Sequence, residues 1–379
     1  MARQRKKSVR GGGSVFLRKD GRWEAKFKVE ETGKYKSLYA ATEKEAYKLL
    51  EDAKYQQKQG TLATGRDQTV KQFLEYWLED VEKPTTRRLN TYINVRSLVH
   101  AHLIPDLGHI RLRSLAANDL QSLYAKKLRA GTSASLVVAV NGVLHKALEH
   151  ARLLKIVSVN VAQGVALPHM EKYKGPVLEV EQARVLLEKA KERNLDVIIA
   201  LAVVTAMRRG EILGLRWADI DLVKGELQIA RTLSYRAGYG FFENDPKSKT
   251  SERPIILPRF LIGLLSGWQV RQVELKVAAG SDWVERGLVF PDAKGKFIVP
   301  DTLLYRFHRL LEDIGLPRMR FHDLRHSAAT ILLSMGVPAN MVQELLGHSN
   351  VSITLGIYGH VLPSTRRETI DKLEGLYGE

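Results

Sequence analysis

Short alternating runs of apolar and polar residues follow a triple glycine near the start of the chain. They read SVFLRKD from Ser14, GRWEAKFKVE from Gly21 and KSLYAAT from Lys36, with breaks at Asp20-Gly21 and Thr32-Gly33. A period of two interrupted by turn residues predicts a three-stranded antiparallel sheet. Thr42, with Glu45 three positions on, predicts a capping box for a helix that carries Ala46, Leu49, Leu50 and Ala53. The first 60 residues therefore read as a small β-β-β-α domain. Gln59 to Asp67, with Gly60, Thr61, Thr64 and Gly65, has no periodicity and reads as a linker.

From residue 67 to 168 the pattern changes to helical spacing. Apolar residues recur at Val70, Phe73, Leu74, Trp77 and Leu78, then at Tyr92, Val95, Leu98 and Leu103. Further runs follow Asn118 (Leu120, Leu123, Tyr124) and Ser133 (Leu136, Val137, Val140, Val143, Leu144, Ala147, Leu148). Four helices around one core are expected. HMEKYKG between Pro168 and Pro176 reads as a hinge into a third domain, 176–379. There, Leu195 to Met207 predicts a buried helix, and ELQIA and RPIILP predict strands around a polar connection from Ser234 to Ser251. Ile370, Leu373 and Leu376 mark an amphipathic tail helix. The expected class is α+β multidomain: the small β-β-β-α domain, a four-helix domain, and a mainly helical third domain with a small antiparallel sheet.

Charge points to a polyanionic partner. The 379 residues hold 59 Lys and Arg against 42 Asp and Glu, a net charge of +17. Residues 1–66 carry 17 basic and 8 acidic side chains, hence +9 of that total. MARQRKKSVR holds Arg3, Arg5, Lys6 and Lys7 and no acid. It reads either as an arm that follows a nucleic acid groove or as a tail without a specific role. No amphipathic stripe in this opening favours a membrane surface. The apolar run Val197 to Met207 is far below the roughly 20 residues that span a bilayer. Without cysteine there is no disulfide, thiolate nucleophile or thiolate metal site, and nothing resembles a secretory signal, so a cytoplasmic setting is expected.

Six residues of the C-terminal half suit attack on a phosphodiester without a metal or other cofactor: Arg208, Lys249, His322, Arg325, His348 and Tyr358. A tyrosine hydroxyl can bond to phosphorus, two guanidiniums can grip the non-bridging oxygens, and Lys and His can move protons. Arg208 opens R-x-x-E with Glu211, whose carboxylate can hold the guanidinium in one pose. His322 and Arg325 form H-x-x-R, one helical turn apart. No Asp and Glu cluster has the look of a two-metal nuclease site. Arg87, Arg88, Arg96, Lys126 and Lys127 are candidate phosphate contacts in the helical domain, alongside Arg3, Arg5, Lys6 and Lys7 at the front.

The segments around the six read TAMRRGEILGLRWADIDL from Thr205, PKSKTSERPIILP from Pro246, FHDLRHSAAT from Phe321 and LGHSNVSITLGIYGH from Leu346. They closely resemble the tyrosine recombinases, the phage-type integrases in particular. The resemblance implies an arm-type DNA-binding domain at 1–60, a core-binding domain at 67–168 and a catalytic domain at 176–379. It implies that Tyr358 forms a 3′-phosphotyrosyl link and frees a 5′ hydroxyl, that His348 donates to a phosphate oxygen, and that the lysine protonates the departing 5′ oxygen. The pattern of lysine, threonine and an I-x-L-P strand favours Lys249 over Lys247. Ala206 departs from the family, where glycine is common; both are small. Tyr377 lacks the context of the nucleophile.

Double-stranded DNA with core and arm-type sites, a homotetramer on that DNA, and accessory bending or directionality proteins are the partners this implies. The tail helix docks either on a neighbouring protomer or on its own domain. Two rivals remain: a type IB topoisomerase, for which an arm-binding domain has little use, and a non-catalytic DNA-binding regulator, against which the intact set of six argues.

Overall fold

The computed structural model describes residues 13–30, 33–59, 62–64, 68–170, 175–245 and 254–346, together with the backbone of 7–9. Contacts divide the chain into two units, 1–172 and 173–379.

The first unit opens with an antiparallel sheet in the order β1 (Lys7–Val9), β2 (Gly13–Leu17), β3 (Trp23–Lys28) and β4 (Tyr35–Ala40). Helix α1 (Glu43–Lys58) crosses one face, started by the Thr42–Glu45 capping box. Alternation turns Val15, Ala25 and Phe27 inward, against Ala46, Leu50 and Ala53 of α1. The expected three-strand unit is thus corrected to four. Lys7–Val9, read as part of a basic arm, pairs with Gly13–Val15 and satisfies backbone groups that β2 would otherwise present as an open edge.

Residues 68 onward build a separate helical core. Helix α2 (Val70–Tyr76) runs through a π-helical stretch, Trp77–Glu82, into α3 (Lys83–Thr85). Helix α4 (Leu89–Leu98) likewise runs through Val99–Leu103 into α5 (Ile104–Leu107), and α6 (Ala117–Arg129) and α7 (Ala134–Leu153) complete the set. Pro84 and Pro105 lie just beyond the two π stretches. Each lacks the N–H that would bond the carbonyl four residues back, at Asp80 and Ala101, which releases the α register there. Phe73, Trp77, Leu103, Leu120, Val140 and Leu144 fill the core, and the Tyr124 hydroxyl donates to Asn141 Oδ1 (2.9 Å) inside it.

The second unit centres on α9 (Asp196–Val204), which is apolar all round and buried from Val197 to Ala202. Around it pack α8 (Val180–Ala190), α10 (Arg209–Leu213), α11 (Arg259–Ala279) and α13 (Asp323–Ser334), while α12 (Pro300–Asp313) lies against α8 and α14 (Ala339–Leu346) against α13. A small sheet pairs β5 (Ile220–Asp221), β6 (Glu226–Gln228) and β9 (Pro254–Ile256). Within the expected polar connection the chain forms a further hairpin, β7 (Thr232–Arg236) with β8 (Gly240–Asn244). β7 lies directly on α10: a Cβ on Gly210 would stand 2.6 Å from the Leu233 carbonyl oxygen.

Candidate active site

Helix α9 ends at Val204, and Ala206 then takes a left-handed backbone, φ +54°. This reverses the chain so that Arg208 stands immediately before α10, at its N-cap. The R-x-x-E spacing predicts that the Glu211 carboxylate holds the Arg208 guanidinium in one pose. In the fold, the buried Glu211 carboxylate reaches back over the first turn and accepts from both the Arg208 backbone N–H (2.7 Å) and its guanidinium Nη1 (2.7 Å). The backbone bond uses one of the donors that a helix start leaves open, and the second bond fixes the side chain.

The same device recurs at the next functional helix. Asp323, fully buried at the start of α13, accepts from the Arg320 N–H (2.7 Å) and from its guanidinium (2.8 Å). Sequence reading missed this second clamp, although the R-x-x-D spacing from Arg320 was its signal. His322 is the N-cap residue of α13. Arg325 is buried on the first turn and donates from Nη1 to the Ala206 carbonyl (2.6 Å) and from Nη2 to the Leu346 carbonyl. One guanidinium therefore ties the turn after α9, α13 and the end of α14. Both of these acceptors are neutral carbonyls. Ser327 anchors the helix on its other side, accepting from the Leu178 N–H (2.9 Å) and donating to the Asp323 carbonyl (2.9 Å).

Burial, then the neighbouring His326, Arg325, Arg208 and Arg320, push the pKa of His322 down to about 4. A cation is disfavoured among three guanidiniums, so the imidazole is neutral at pH 7 and able to accept a proton. The His326 ring stands edge-on to it, centroids 5.0 Å apart, and burial lowers the pKa of His326 as well. Arg209, beside Arg208, is half-buried; that burial lowers its pKa, while Asp301 raises it.

Arg208, His322 and Arg325 are thus brought together. Lys249, Lys247, His348, Tyr358 and Tyr377 lie outside the described residues, as do Arg3, Arg5 and Lys6; of Lys7 only the backbone in β1 is described. The flanks are fixed: β8 ends three residues before Lys247, and α14 ends two residues before His348. In the helical domain Lys126 and Lys127 both bond Asp106 (2.7 and 3.2 Å), so this pair brings a net single charge. Arg87 and Arg96 are exposed and Arg88 is partly buried. Among the described residues no three His, Asp or Glu side chains converge as metal ligands, and no helix is long and apolar enough to cross a membrane.

The family model described as phage integrase family matches residues 176–365, and that of the phage integrase N-terminal SAM-like domain matches residues 69–128. Over 368 residues the chain is 30% identical to the tyrosine recombinase XerC-like protein of Caldanaerobacter subterraneus subsp. tengcongensis, covering 92% of this chain and 94% of that one. Its fold is similar to the Tn1549 transposon integrase solved with transposon right end DNA (TM-score 0.69, 19% identity, 81% of this chain and 99% of that one). It is also similar to a lambda integrase tetramer solved on a Holliday junction (TM-score 0.57, 16% identity, 90% of this chain and 94% of that one).

Proposed function

The chain belongs to the phage integrase family of tyrosine recombinases, and we propose that it recombines DNA at specific sites with Tyr358 as the nucleophile. It is an enzyme of DNA strand cleavage and rejoining, of the kind carried by phages and integrative mobile elements. The phenolic oxygen of Tyr358 attacks the scissile phosphorus, giving its proton to the neutral His322. The bond to the 5′ oxygen breaks, and Lys249 supplies the proton that leaves a free 5′ hydroxyl. The phosphodiester is kept as a 3′-phosphotyrosyl link, so a 5′ hydroxyl from another strand can reverse the step and seal a recombinant without nucleotide or metal.

Negative charge grows on the equatorial oxygens as phosphorus becomes five-coordinate. Arg208 and Arg325 meet it with fixed guanidiniums, and His348 adds a donor; loss of one such donor should slow cleavage by about 10²- to 10³-fold. The observation that most supports this reading is the convergence of Arg208, Arg325 and a neutral His322, each held by its own buried anchor or neighbour.

Residues 1–60 are assigned to arm-type DNA sites, the four-helix region of 67–168 to the core site, and 176–379 to catalysis. One protomer would then bridge two DNA sites, and four would assemble on the exchanging duplexes, with accessory bending or directionality proteins as further partners. The test is covalent trapping in EDTA on nicked duplexes from the DNA flanking the gene, with the wild type beside Tyr358→Phe. A protein–DNA adduct absent from the variant is expected. Binding without an adduct on the attachment site would favour a regulator, and relaxation of any supercoiled plasmid would favour a topoisomerase.

A further inference from the structure

The aperiodic stretch between the sheet domain and the helical domain is pinned at its centre. Leu62 joins the apolar core of the sheet domain, with Val15, Phe27 and Leu50. Ala63 is buried on the other side, where it lines a cavity of about 150 Å³ with Leu112, Leu115, Leu148 and Val157 of the helical domain. Thr64 donates its N–H to the Lys155 carbonyl (2.8 Å), and Lys155 sits just beyond α7 with a left-handed backbone, φ 55°. From the sheet, Lys36 on β4 reaches across and donates to the Ala63 carbonyl (2.5 Å). Burial and the nearby Arg113 lower the pKa of Lys36, and Arg113 itself donates to the Ile156 carbonyl (3.1 Å).

Three consecutive residues thus serve two domains. Leu62 packs into one, Ala63 into the other, and the backbone of 63 and 64 is bonded from both sides. We infer that residues 62–64 are a latch that docks the N-terminal sheet domain on the helical domain in one orientation. A free nine-residue tether from 59 to 67 would let the domains wander by roughly 17 Å r.m.s.. The latch removes that freedom. Given the proposed function, on which this consequence rests, the distance between the two DNA sites that a protomer bridges is set by the latch, and avidity is confined to one spacing.

The chain has no cysteine, so two labels can be placed without removing native residues. Lys48→Cys on α1 and Arg129→Cys at the end of α6, both exposed, carry spin labels in the full-length protein, and pulsed distance measurements are made without DNA. A single narrow distribution is expected. Ala63→Asp, which puts a charge into the apolar cavity, should broaden it severalfold. Lys36→Met, which keeps the stem and loses the donor, should broaden it less, and Ala63→Val, which fills the cavity, should keep it narrow. Circular dichroism melts establish that both domains stay folded in each variant. A broad distribution in the unaltered latch, or an equally narrow one in both folded Ala63→Asp and Lys36→Met, would overturn the inference. Neither result touches the covalent adduct, so the recombinase reading stands or falls separately.

Discussion

At the residue scale, Ala206 is the most instructive position. Its left-handed backbone costs an alanine about 1–2 kcal/mol that glycine avoids, although glycine loses more freedom on folding. Ala206→Gly is expected to stabilise the protein by about 1 kcal/mol in thermal or denaturant unfolding, with the Arg325 bond to its carbonyl kept. A destabilised variant would mean that the buried methyl among Ala328 and Ala329 matters more than the backbone. His322 makes a pH prediction. Its pKa is about 4 in the fold against the ordinary 6.5, so between these values the unfolded chain binds the extra proton. Its contribution is therefore complete above pH 6.5 and lost as pH falls towards 4. Melts from pH 7 to 4.5 should decline less steeply in His322→Gln than in the wild type; parallel declines would refute the assignment. The pairing of Arg208 with Glu211 was legible because three residues is a capping distance as well as a helical one. The positive φ at Ala206 was not legible, since side-chain size says nothing of the turn around it.

At the element scale, periodicity marked α1, the helices of the helical domain, the buried α9 and the strands β2 to β4, since a buried face leaves a repeat in the sequence. Helices α8, α11, α12 and α14 were not anticipated, and three further features escaped it. The strand Lys7–Val9 is too short and basic to stand out, and its pairing is decided by the edge it covers. The π stretches follow from proline acting four residues upstream. The β7–β8 hairpin was concealed in a polar connection, although Leu233, Tyr235 and Phe241 alternate about glycines with positive φ at 238 and 240. That hairpin rests on α10 through glycine. Gly210→Ala would drive a methyl to 2.6 Å from the Leu233 carbonyl oxygen, so a loss of about 1–3 kcal/mol is expected together with slower cleavage, because α10 carries Arg208 at its start. Cleavage at the wild-type rate, measured by single-turnover adduct formation, would show that the hairpin contact yields freely.

For the whole molecule, an excess of 17 positive charges implies salt-sensitive DNA binding, about −0.9 log units per log unit of salt for each neutralised phosphate. Asp106 ties up two lysines at the surface of the helical domain. If that surface faces DNA, Asp106→Asn should tighten binding and steepen the salt slope by up to about one phosphate; an unchanged slope by fluorescence anisotropy would place those lysines away from the duplex. The six candidate residues were legible only through their motifs; Arg208, His322 and Arg325, which the described residues include, lie far apart in the chain and meet through packing that no local pattern records. The central claim concerns the residue that becomes joined to DNA. Its most direct test is mass spectrometry of the tryptic peptides from the trapped, nuclease-treated adduct. The account predicts a nucleotide joined through its 3′ phosphate to Tyr358, with a free 5′ hydroxyl on the complementary product. A nucleotide on Tyr377 or any other residue, or a 5′-linked phosphate, would contradict it.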